Sequence, residues 1–330
     1  MPPEPLFEVA RRTFDTPEFR GIECIEVEAK SVINRVPGGG LPFDWTINPY
    51  RGCTHACTYC FARPTHTFLD MDAGRDFETK IVVKVNAPDV LRRQLAAPRW
   101  KGEHIAMGTG TDPYQRVEGR YELMRGIIEA LTDARNPFSI LTKSALILRD
   151  LDLLRDASNV APIGAAFSIG TLDERVWRET EPGTPHPRAR IEAVRTLTEA
   201  GIPTGVLMAP ILPGLSDAPE QMRAVVEAAL EAGATHVSPI LLHLRPGVRE
   251  EFMPWLEEHH PDLVPRYTAM YRQAYGPKAE RDRLGARVGS LVRTARKRWP
   301  APPDRQVADR HRFRRGAADR RQEPAQPTLW

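Results

Sequence analysis

Short apolar runs rich in β-branched residues alternate with longer helical stretches between about residues 45 and 245. Strands that alternate with helices of roughly 10–15 residues are typical of βαβ units and a parallel sheet. The predicted strands are Trp45–Pro49, Lys80–Val85, His104–Gly108, Phe138–Lys143, Pro162–Ile169, Pro203–Ala209 and His236–Leu242. The predicted helices are Asp89–Ala96, Arg120–Ala134, Ala145–Ala157, Arg188–Ala200 and Ala218–Ala232. About six such units, with strands buried on both faces, predict an α/β fold of the barrel or partial-barrel kind.

The segments on either side of this alternation differ from it. Residues 1–40 are polar and end in a proline followed by three glycines, which predicts an N-terminal extension with a flexible entry into the fold. The repeating units then define a core domain over residues 41–245.

The C-terminal part divides in two. Residues 246–299 predict a helical extension of two or three helices, broken at Pro254, Pro261 and Pro277. The last helix carries apolar residues at helical spacing, which predicts packing on the barrel, at Leu284, Val288, Leu291 and Val292. Residues 300–330 are dominated by Pro, Arg, Ala, Asp and Gln and predict a basic, disordered tail.

Charge is distributed unevenly along the chain. Residues 278–330 hold fifteen Lys and Arg against six Asp and Glu, a net charge of +9, so residues 1–277 carry −6 of the total +3. A basic end indicates either a nucleic-acid partner or merely a solvated arginine-rich segment. No apolar run approaches the roughly 20 residues of a membrane span, and the N-terminus resembles no signal peptide. We therefore expect a cytoplasmic protein without a membrane partner.

Three of the four cysteines, Cys53, Cys57 and Cys60, lie within eight residues in the spacing C-x₃-C-x₂-C. Three thiolates on one loop can converge on a metal centre. A four-iron cluster held by three thiolates keeps one iron with open coordination sites, to which a substrate can bind. The spacing therefore favours an iron–sulfur centre.

A zinc site is the alternative, with His55 or His66 as a fourth ligand. Zinc motifs usually contain two pairs of cysteines, and the sequence has no second pair. With the basic C-terminus, this alternative describes a zinc-containing nucleic-acid-binding protein without radical chemistry.

The cysteine motif, with Tyr59 directly before the last cysteine, resembles the radical S-adenosylmethionine (radical SAM) superfamily. The resemblance implies that Cys53, Cys57 and Cys60 hold a [4Fe-4S] cluster and that Tyr59 lies near the adenine of S-adenosylmethionine. In that superfamily an electron from the cluster cleaves S-adenosylmethionine to a 5′-deoxyadenosyl radical. It also implies a partial (β/α)₆ TIM-like barrel with the cysteine loop after the first strand, and a one-electron reductant of the flavodoxin or ferredoxin type.

Further motifs resemble the spore photoproduct lyase-like branch, over residues 43–245. They are the segments 108–115, 141–144, 166–169 and 209–217, together with Glu181, Pro182, Arg188 and Arg190. The resemblance implies a lyase-like reaction, with a nucleic acid lesion as one candidate substrate.

Five further residues are predicted to bind the cofactor: Asp112, Lys143, Ser168, Glu181 and Arg190. By resemblance the first three contact the cofactor. The carboxylate of Asp112 suits its ammonium group, the cation of Lys143 suits its carboxylate, and the hydroxyl of Ser168 suits either the ribose or the same carboxylate.

Structural roles stay open for each of them. Asp112 precedes a proline and could be a turn residue, and Lys143 could be a strand end running into an N-cap. Ser168 could be a core hydroxyl, and Glu181 with Arg190 a structural ion pair. His55 and His186 are interpreted as loop residues.

The sequence departs from the lyase pattern at one point. The lyase uses a cysteine at the end of its second strand as a hydrogen donor, whereas residues 108–111 here contain no thiol. The remaining cysteine, Cys24, lies in the N-terminal extension, so a second cluster and a thiol pair are both excluded. Hydrogen abstraction followed by cleavage, rearrangement or dehydrogenation remains, and the substrate stays open.

Overall fold

The computed structural model describes residues 10–36 and 41–301, which form two sheets and surrounding helices. The strands are β1 (Ala10–Thr13), β2 (Glu23–Val27), β3 (Ile33–Arg35), β4 (Trp45–Ile47), β5 (Tyr50–Arg51), β6 (Lys80–Lys84), β7 (Ile105–Met107), β8 (Phe138–Thr142), β9 (Ile163–Ser168), β10 (Thr204–Ile211) and β11 (Val237–Leu241). The α-helices are α1 (Arg75–Thr79), α2 (Ala87–Leu95), α3 (Glu118–Tyr121), α4 (Leu123–Asp133), α5 (Leu151–Val160), α6 (Glu174–Thr180), α7 (Pro187–Glu199), α8 (Pro219–Glu231), α9 (Arg249–His259), α10 (Val264–Met270) and α11 (Lys278–Ala295).

The larger sheet has seven strands in the order β11-β10-β9-β8-β7-β4-β3. The six strands from β4 to β11 pair in parallel, and β3 joins one edge antiparallel. Helices connect the parallel strands and cover apolar side chains such as Ile105, Ile140 and Val206. The predicted partial (β/α)₆ barrel is confirmed.

The smaller sheet has the order β1-β2-β6-β5. Its strand β6 is the run predicted as Lys80–Val85, so this one of the seven predicted strands lies outside the barrel. It pairs in parallel with β2 and antiparallel with β5, which leads into the cysteine loop.

The predicted flexible entry is wrong for residues 10–36, which form β1, β2 and β3. Sparse apolar residues anchor this segment in the core despite its polar composition, among them Phe19, Ile22 and Val32. The proline and glycines at 37–40 lie outside the described residues.

The predicted helical extension is present as α9, α10 and α11. Val288 is buried in the core. Leu284, Leu291 and Val292, the other apolar residues predicted for this face of α11, are partly buried and pack against the same core. Pro261 and Pro277 flank helices as predicted, but Pro254 lies inside α9 and does not break it. Residues 302–330, most of the predicted tail, lie outside the described residues.

Of the residues that the structure describes, none forms a helix long and apolar enough to cross a membrane.

Candidate active site

The cysteine loop (residues 53–60) follows β4 and β5 at the carboxyl end of the first barrel strand. Cys53 and Cys57 are buried and Cys60 is half-buried. Two tight turns shape the loop: Ala56 N donates to Cys53 O and Cys60 N donates to Cys57 O, both at 3.2 Å. The site therefore lies where parallel strands of a barrel end, which is where such folds bind ligands.

Gln115 holds the cysteine loop from the side of the second strand. Its side chain is fully buried; Oε1 accepts from Thr54 N and Nε2 donates to Gly52 O, both at 2.9 Å. These two contacts fix the backbone on either side of Cys53. The sequence motif contained Gln115, but nothing in the motif indicated this role.

A second support comes from the segment between α6 and α7. Thr58 N donates to Thr180 O at 3.0 Å, and Gly183 N donates to His55 O at 3.1 Å. A Cβ atom on Gly183 would lie 2.1 Å from Thr54 O, so only glycine permits this approach. The two segments thus pack backbone against backbone.

This close packing brings Tyr59, Glu181 and Arg190 together. Tyr59 Oη donates to Glu181 Oε1, and Arg190 Nη2 donates to Glu181 Oε2. All three side chains are buried, and Thr184 Oγ1 also donates to Glu181, at 3.3 Å. Burial alone would raise the pKa of Glu181, but the charges of Arg190 and Lys143 hold it below its usual value.

The same network continues to the third and fourth barrel strands. Arg190 Nη1 donates to Ser168 O, and Lys143 Nζ donates to Ser168 Oγ, both at 3.0 Å. Ser168 Oγ itself donates to Ala209 O at 2.6 Å. Burial would lower the pKa of Lys143, but Cys57 and Glu181 raise it above its usual value, so the ammonium stays charged.

Asp112 completes the network at the second strand. Its Oδ2 accepts from Lys143 N at 2.6 Å, and its Oδ1 accepts from Thr142 Oγ1 at 2.7 Å. The two strand ends meet because residue 108 is a glycine: a Cβ there would lie 1.8 Å from Leu141 O. The structure therefore joins Tyr59, Glu181, Arg190, Ser168, Lys143 and Asp112 in one chain of contacts.

The structural roles considered for these residues are also present. Asp112 accepts from Tyr114 N in a turn, and Ser144 caps the helical turn after Lys143. Ser168 contacts backbone, and Glu181 pairs with Arg190. These structural contacts hold the side chains next to one another, and they are compatible with a role in binding.

His55 is more than a loop residue. It is buried, and its Nδ1 lies 3.4 Å from Asp112 Oδ2. Burial lowers the pKa of His55 to about 4, so the ring is neutral at neutral pH. His186 instead caps α7, accepting from Arg188 N through Nδ1.

The thiols of the cysteine loop fit an iron–sulfur cluster better than a single ion. Within residues 10–36 and 41–301, no three His, Cys, Asp or Glu side chains are grouped so as to hold one metal ion. In a four-iron cluster each thiolate binds a different iron, so three sulfurs on one loop, without a fourth protein ligand, are the donor set expected. The zinc alternative finds no support.

Comparisons with known proteins show the family. The family model described as the radical SAM superfamily matches residues 47–238. An uncharacterized protein of Mycobacterium tuberculosis (strain H37Rv) is 46% identical over 302 residues, which are 90% of this chain and 89% of the relative. Another, of Methanocaldococcus jannaschii, is 34% identical over 198 residues, covering 59% of this chain and 70% of the relative.

Among solved structures, a spore photoproduct lyase complexed with dinucleoside spore photoproduct is similar, with a TM-score of 0.61. At 16% identity, over 87% of this chain and 84% of that one, this likeness shows the fold alone.

The chain belongs to the radical SAM superfamily. It is accordingly a radical SAM enzyme, of a superfamily that uses a [4Fe-4S] cluster and S-adenosylmethionine and that requires a reductant.

Proposed function

We propose that Cys53, Cys57 and Cys60 hold the [4Fe-4S] cluster and that the linked side chains beside them bind S-adenosylmethionine. The observation that carries the proposal is the continuous chain of contacts from Tyr59, inside the cysteine loop, to Asp112 at the second strand. It joins the cysteine loop to the loop after α6, to helix α7 and to the carboxyl-terminal ends of three barrel strands or the segments after them.

When bound, such a cluster supplies the electron that cleaves S-adenosylmethionine to a 5′-deoxyadenosyl radical, which abstracts hydrogen from a substrate. The protein provides the cofactor's binding groups. Lys143 Nζ has one hydrogen-bond partner among the described residues, Ser168 Oγ, although an ammonium has three donors. The remaining donors of this desolvated cation suit the carboxylate of the methionine moiety.

The other residues of the network orient and shield the cofactor. The Glu181–Arg190 pair fixes the hydroxyl of Tyr59, whose ring centroid lies 5.7 Å from Lys143 Nζ. Asp112 supplies a negative charge next to the Lys143 backbone for the ammonium of the methionine moiety. The neutral ring of His55 lies against that carboxylate without adding a charge.

For the substrate we propose a nucleic acid lesion, with the electron coming from a protein of the flavodoxin or ferredoxin type. Likeness in fold to a lyase that binds a dinucleoside photoproduct supports this substrate class. The absence of a thiol at residues 108–111 argues against hydrogen return from that position. The reaction proposed is therefore abstraction followed by cleavage, rearrangement or dehydrogenation.

The test is anaerobic purification of the full chain, followed by reduction with dithionite in the presence of S-adenosylmethionine. We expect a brown protein with about four irons per chain and formation of 5′-deoxyadenosine. A colourless protein that contains zinc, or an iron-loaded protein that forms no 5′-deoxyadenosine, would contradict the proposal.

A further inference from the structure

The chain leaves β11 at the barrel mouth with residues pointing alternately inward and outward. Leu242 and Leu244 are buried in the same apolar cluster as Cys57 and Tyr59. His243 and Arg245 alternate with these leucines and are only partly buried. The inner residues face the cysteine side, so the outer pair lies on the rim.

Tyr275 packs on this rim. His243 and Tyr275 form an antiparallel bridge, and their ring centroids lie 4.6 Å apart. The guanidinium of Arg245 lies 5.4 Å from the Tyr275 ring centroid and donates to its hydroxyl. Tyr275 is nevertheless 40% exposed, so part of its side chain is open to solvent.

The rim also carries surplus positive charge. Neither Arg245 nor Arg281 forms an ion pair with any carboxylate in the described part of the chain. Burial, and then the charges of these two arginines, lower the pKa of His243 to about 4. His243 is therefore neutral at neutral pH, and the two guanidinium groups supply the charge.

The rim adjoins the cysteine loop through the segment after Cys60. A Cβ on Gly247, two residues beyond Arg245, would lie 2.4 Å from Pro64 Cγ. Pro64 belongs to the 3₁₀ helix Arg63–Leu69, which begins three residues after Cys60. A ligand on the rim would thus lie beside the mouth where the radical forms.

We propose that His243, Arg245, Tyr275 and Arg281, the rim site, bind single-stranded nucleic acid. A partly exposed aromatic ring with arginines nearby suits an unpaired base with its phosphates, since bases stack on aromatic rings and arginine pairs with phosphate. This inference rests on the proposed function and locates its substrate class on the folded domain, independently of the basic tail. An acidic peptide would use the arginines but not the ring.

The test uses the full-length protein and a fluorescein-labelled oligo-dT of about 12 nucleotides, with binding followed by anisotropy. Tyr275→Ala should weaken binding about tenfold with an unchanged salt slope, because stacking contributes roughly 1–3 kcal/mol per base. Tyr275→Phe keeps the ring and should bind within about twofold of the wild type. Arg245→Gln should weaken binding and reduce the salt slope by about 0.7.

Arg298→Gln is the matched control. Arg298 also lies over an aromatic ring, 4.6 Å from the Trp299 centroid, but at the opposite end of the barrel. Its neighbour Arg296 donates to Ala234 O and Thr235 O, which precede β11. This variant should bind as the wild type does.

Several results would overturn the rim site. These are wild-type affinity in both Tyr275→Ala and Arg245→Gln, an equal loss in Arg298→Gln, equal binding of a fully paired duplex, or displacement of the oligonucleotide by polyglutamate at equal charge. Formation of 5′-deoxyadenosine is measured separately on the wild type without oligonucleotide. If it forms while all variants bind alike, only the rim site fails; if it does not form, the proposed function fails.

Discussion

Two Tyr–Glu–Arg triads with buried carboxylates lie at the cysteine loop, one built on the strand before it and one on a residue within it. In each, the tyrosine hydroxyl donates to the glutamate and the arginine pairs with the same carboxylate. The upstream triad is Tyr50, Glu118 and Arg149, and the downstream triad is Tyr59, Glu181 and Arg190. Locally they are almost the same arrangement, built from different elements.

Their surroundings differ in charge. Arg149 of the upstream triad also pairs with Asp150, which in turn pairs with Arg125. Arg125 pairs with Asp152 as well, so three carboxylates meet two arginines. Burial there raises the pKa of Glu118 to about 6 despite its hydrogen bonds from Tyr50 and Arg149.

In the downstream triad the carboxylate of Glu181 lies near two cations, Arg190 and Lys143, and its pKa is lowered instead. The upstream network, in which carboxylates outnumber arginines, holds helices together and leaves no cation to spare. A cation with unused donors, Lys143, indicates a place for an anionic ligand.

The largest expected effect concerns the cysteines that the downstream triad adjoins. Cys53→Ala, Cys57→Ala and Cys60→Ala should each abolish 5′-deoxyadenosine formation, because two thiolates leave the cluster underligated. Iron content and product formation are measured after anaerobic reconstitution.

Cys24→Ala is the control for these variants. Cys24 is fully buried in β2, where burial raises its pKa to about 11, and it belongs to the apolar core. Its replacement should cost about 1 kcal/mol of stability and leave product formation intact. Loss of product with an intact cluster would make Cys24 part of the chemistry.

Removal of the Lys143 ammonium is expected to have the next largest effect. Lys143→Met should raise the Kd for S-adenosylmethionine by about ten- to a hundredfold, because hydrogen bonds to charged groups contribute roughly 1.5–3 kcal/mol. Isothermal titration of the iron-loaded protein gives this constant.

Lys84→Met is matched to it. Lys84 is also largely buried and its Nζ donates to one oxygen, Asn48 O at 2.8 Å, but burial lowers its pKa to about 8. An equal loss of affinity for S-adenosylmethionine in both variants would show that the loss is not specific to Lys143.

A smaller effect is expected from the contact that holds Cys53. Gln115→Glu removes the donor to Gly52 O and adds a negative charge beside the cluster loop. Since negative charge favours the oxidised cluster, the midpoint potential should fall by about 60 mV, which is tenfold in the one-electron equilibrium. Redox titration followed by EPR measures the shift.

Gln94→Glu serves as the comparison for this shift. Gln94 also bridges backbone groups, accepting from Val32 N at 2.9 Å and Ile33 N at 3.1 Å, but these groups belong to the edge strand β3 and the residue before it, not to the cysteine loop. In Gln94→Glu the midpoint potential of the cluster should stay at the wild-type value. An equal shift in both variants would show that Gln115 has no special effect on the cluster.

The last prediction distinguishes the two triads by the pH dependence of stability. The raised pKa of Glu118 means that its contribution to stability is present below pH 4.5 and is lost as the pH rises through about 6. Relative to Glu118→Gln, the wild type should therefore lose about 2 kcal/mol of unfolding free energy between pH 4.5 and 7.5. For Glu181, whose pKa is lowered, the contribution is instead lost as the pH falls below about 4.5.

Urea unfolding of the wild type, Glu118→Gln and Glu181→Gln across this range measures both trends. Parallel pH curves for the three proteins would show that the triads are electrostatically alike.

The barrel and the cysteine loop could be predicted because their signals are local. Strand and helix periods recur within short windows, and the three cysteines lie on one loop. The sheet that contains β6 could not be assigned in this way, since its partners β2 and β5 lie far along the chain or contain only two residues. β1 could not be predicted from hydrophobic alternation, because all four of its residues are exposed.

The candidate residues of the site could be named from the sequence, but their contacts could not. Asp112, Lys143 and Ser168 are each a prediction from a local motif, whereas the order of their contacts depends on which strands are neighbours. Gln115 carries no charge, and its role depends on a turn that returns to the loop. Arg245 and Tyr275 are thirty residues apart and meet only through the fold.

The most direct test of the account is EPR spectroscopy of the reduced wild-type protein with and without S-adenosylmethionine. An iron with open sites beside the downstream triad predicts that the cofactor changes the spectrum of the reduced cluster. In Lys143→Met the same change should require a higher concentration of the cofactor. A reduced cluster whose spectrum is unaffected by saturating S-adenosylmethionine would contradict the assignment of this site.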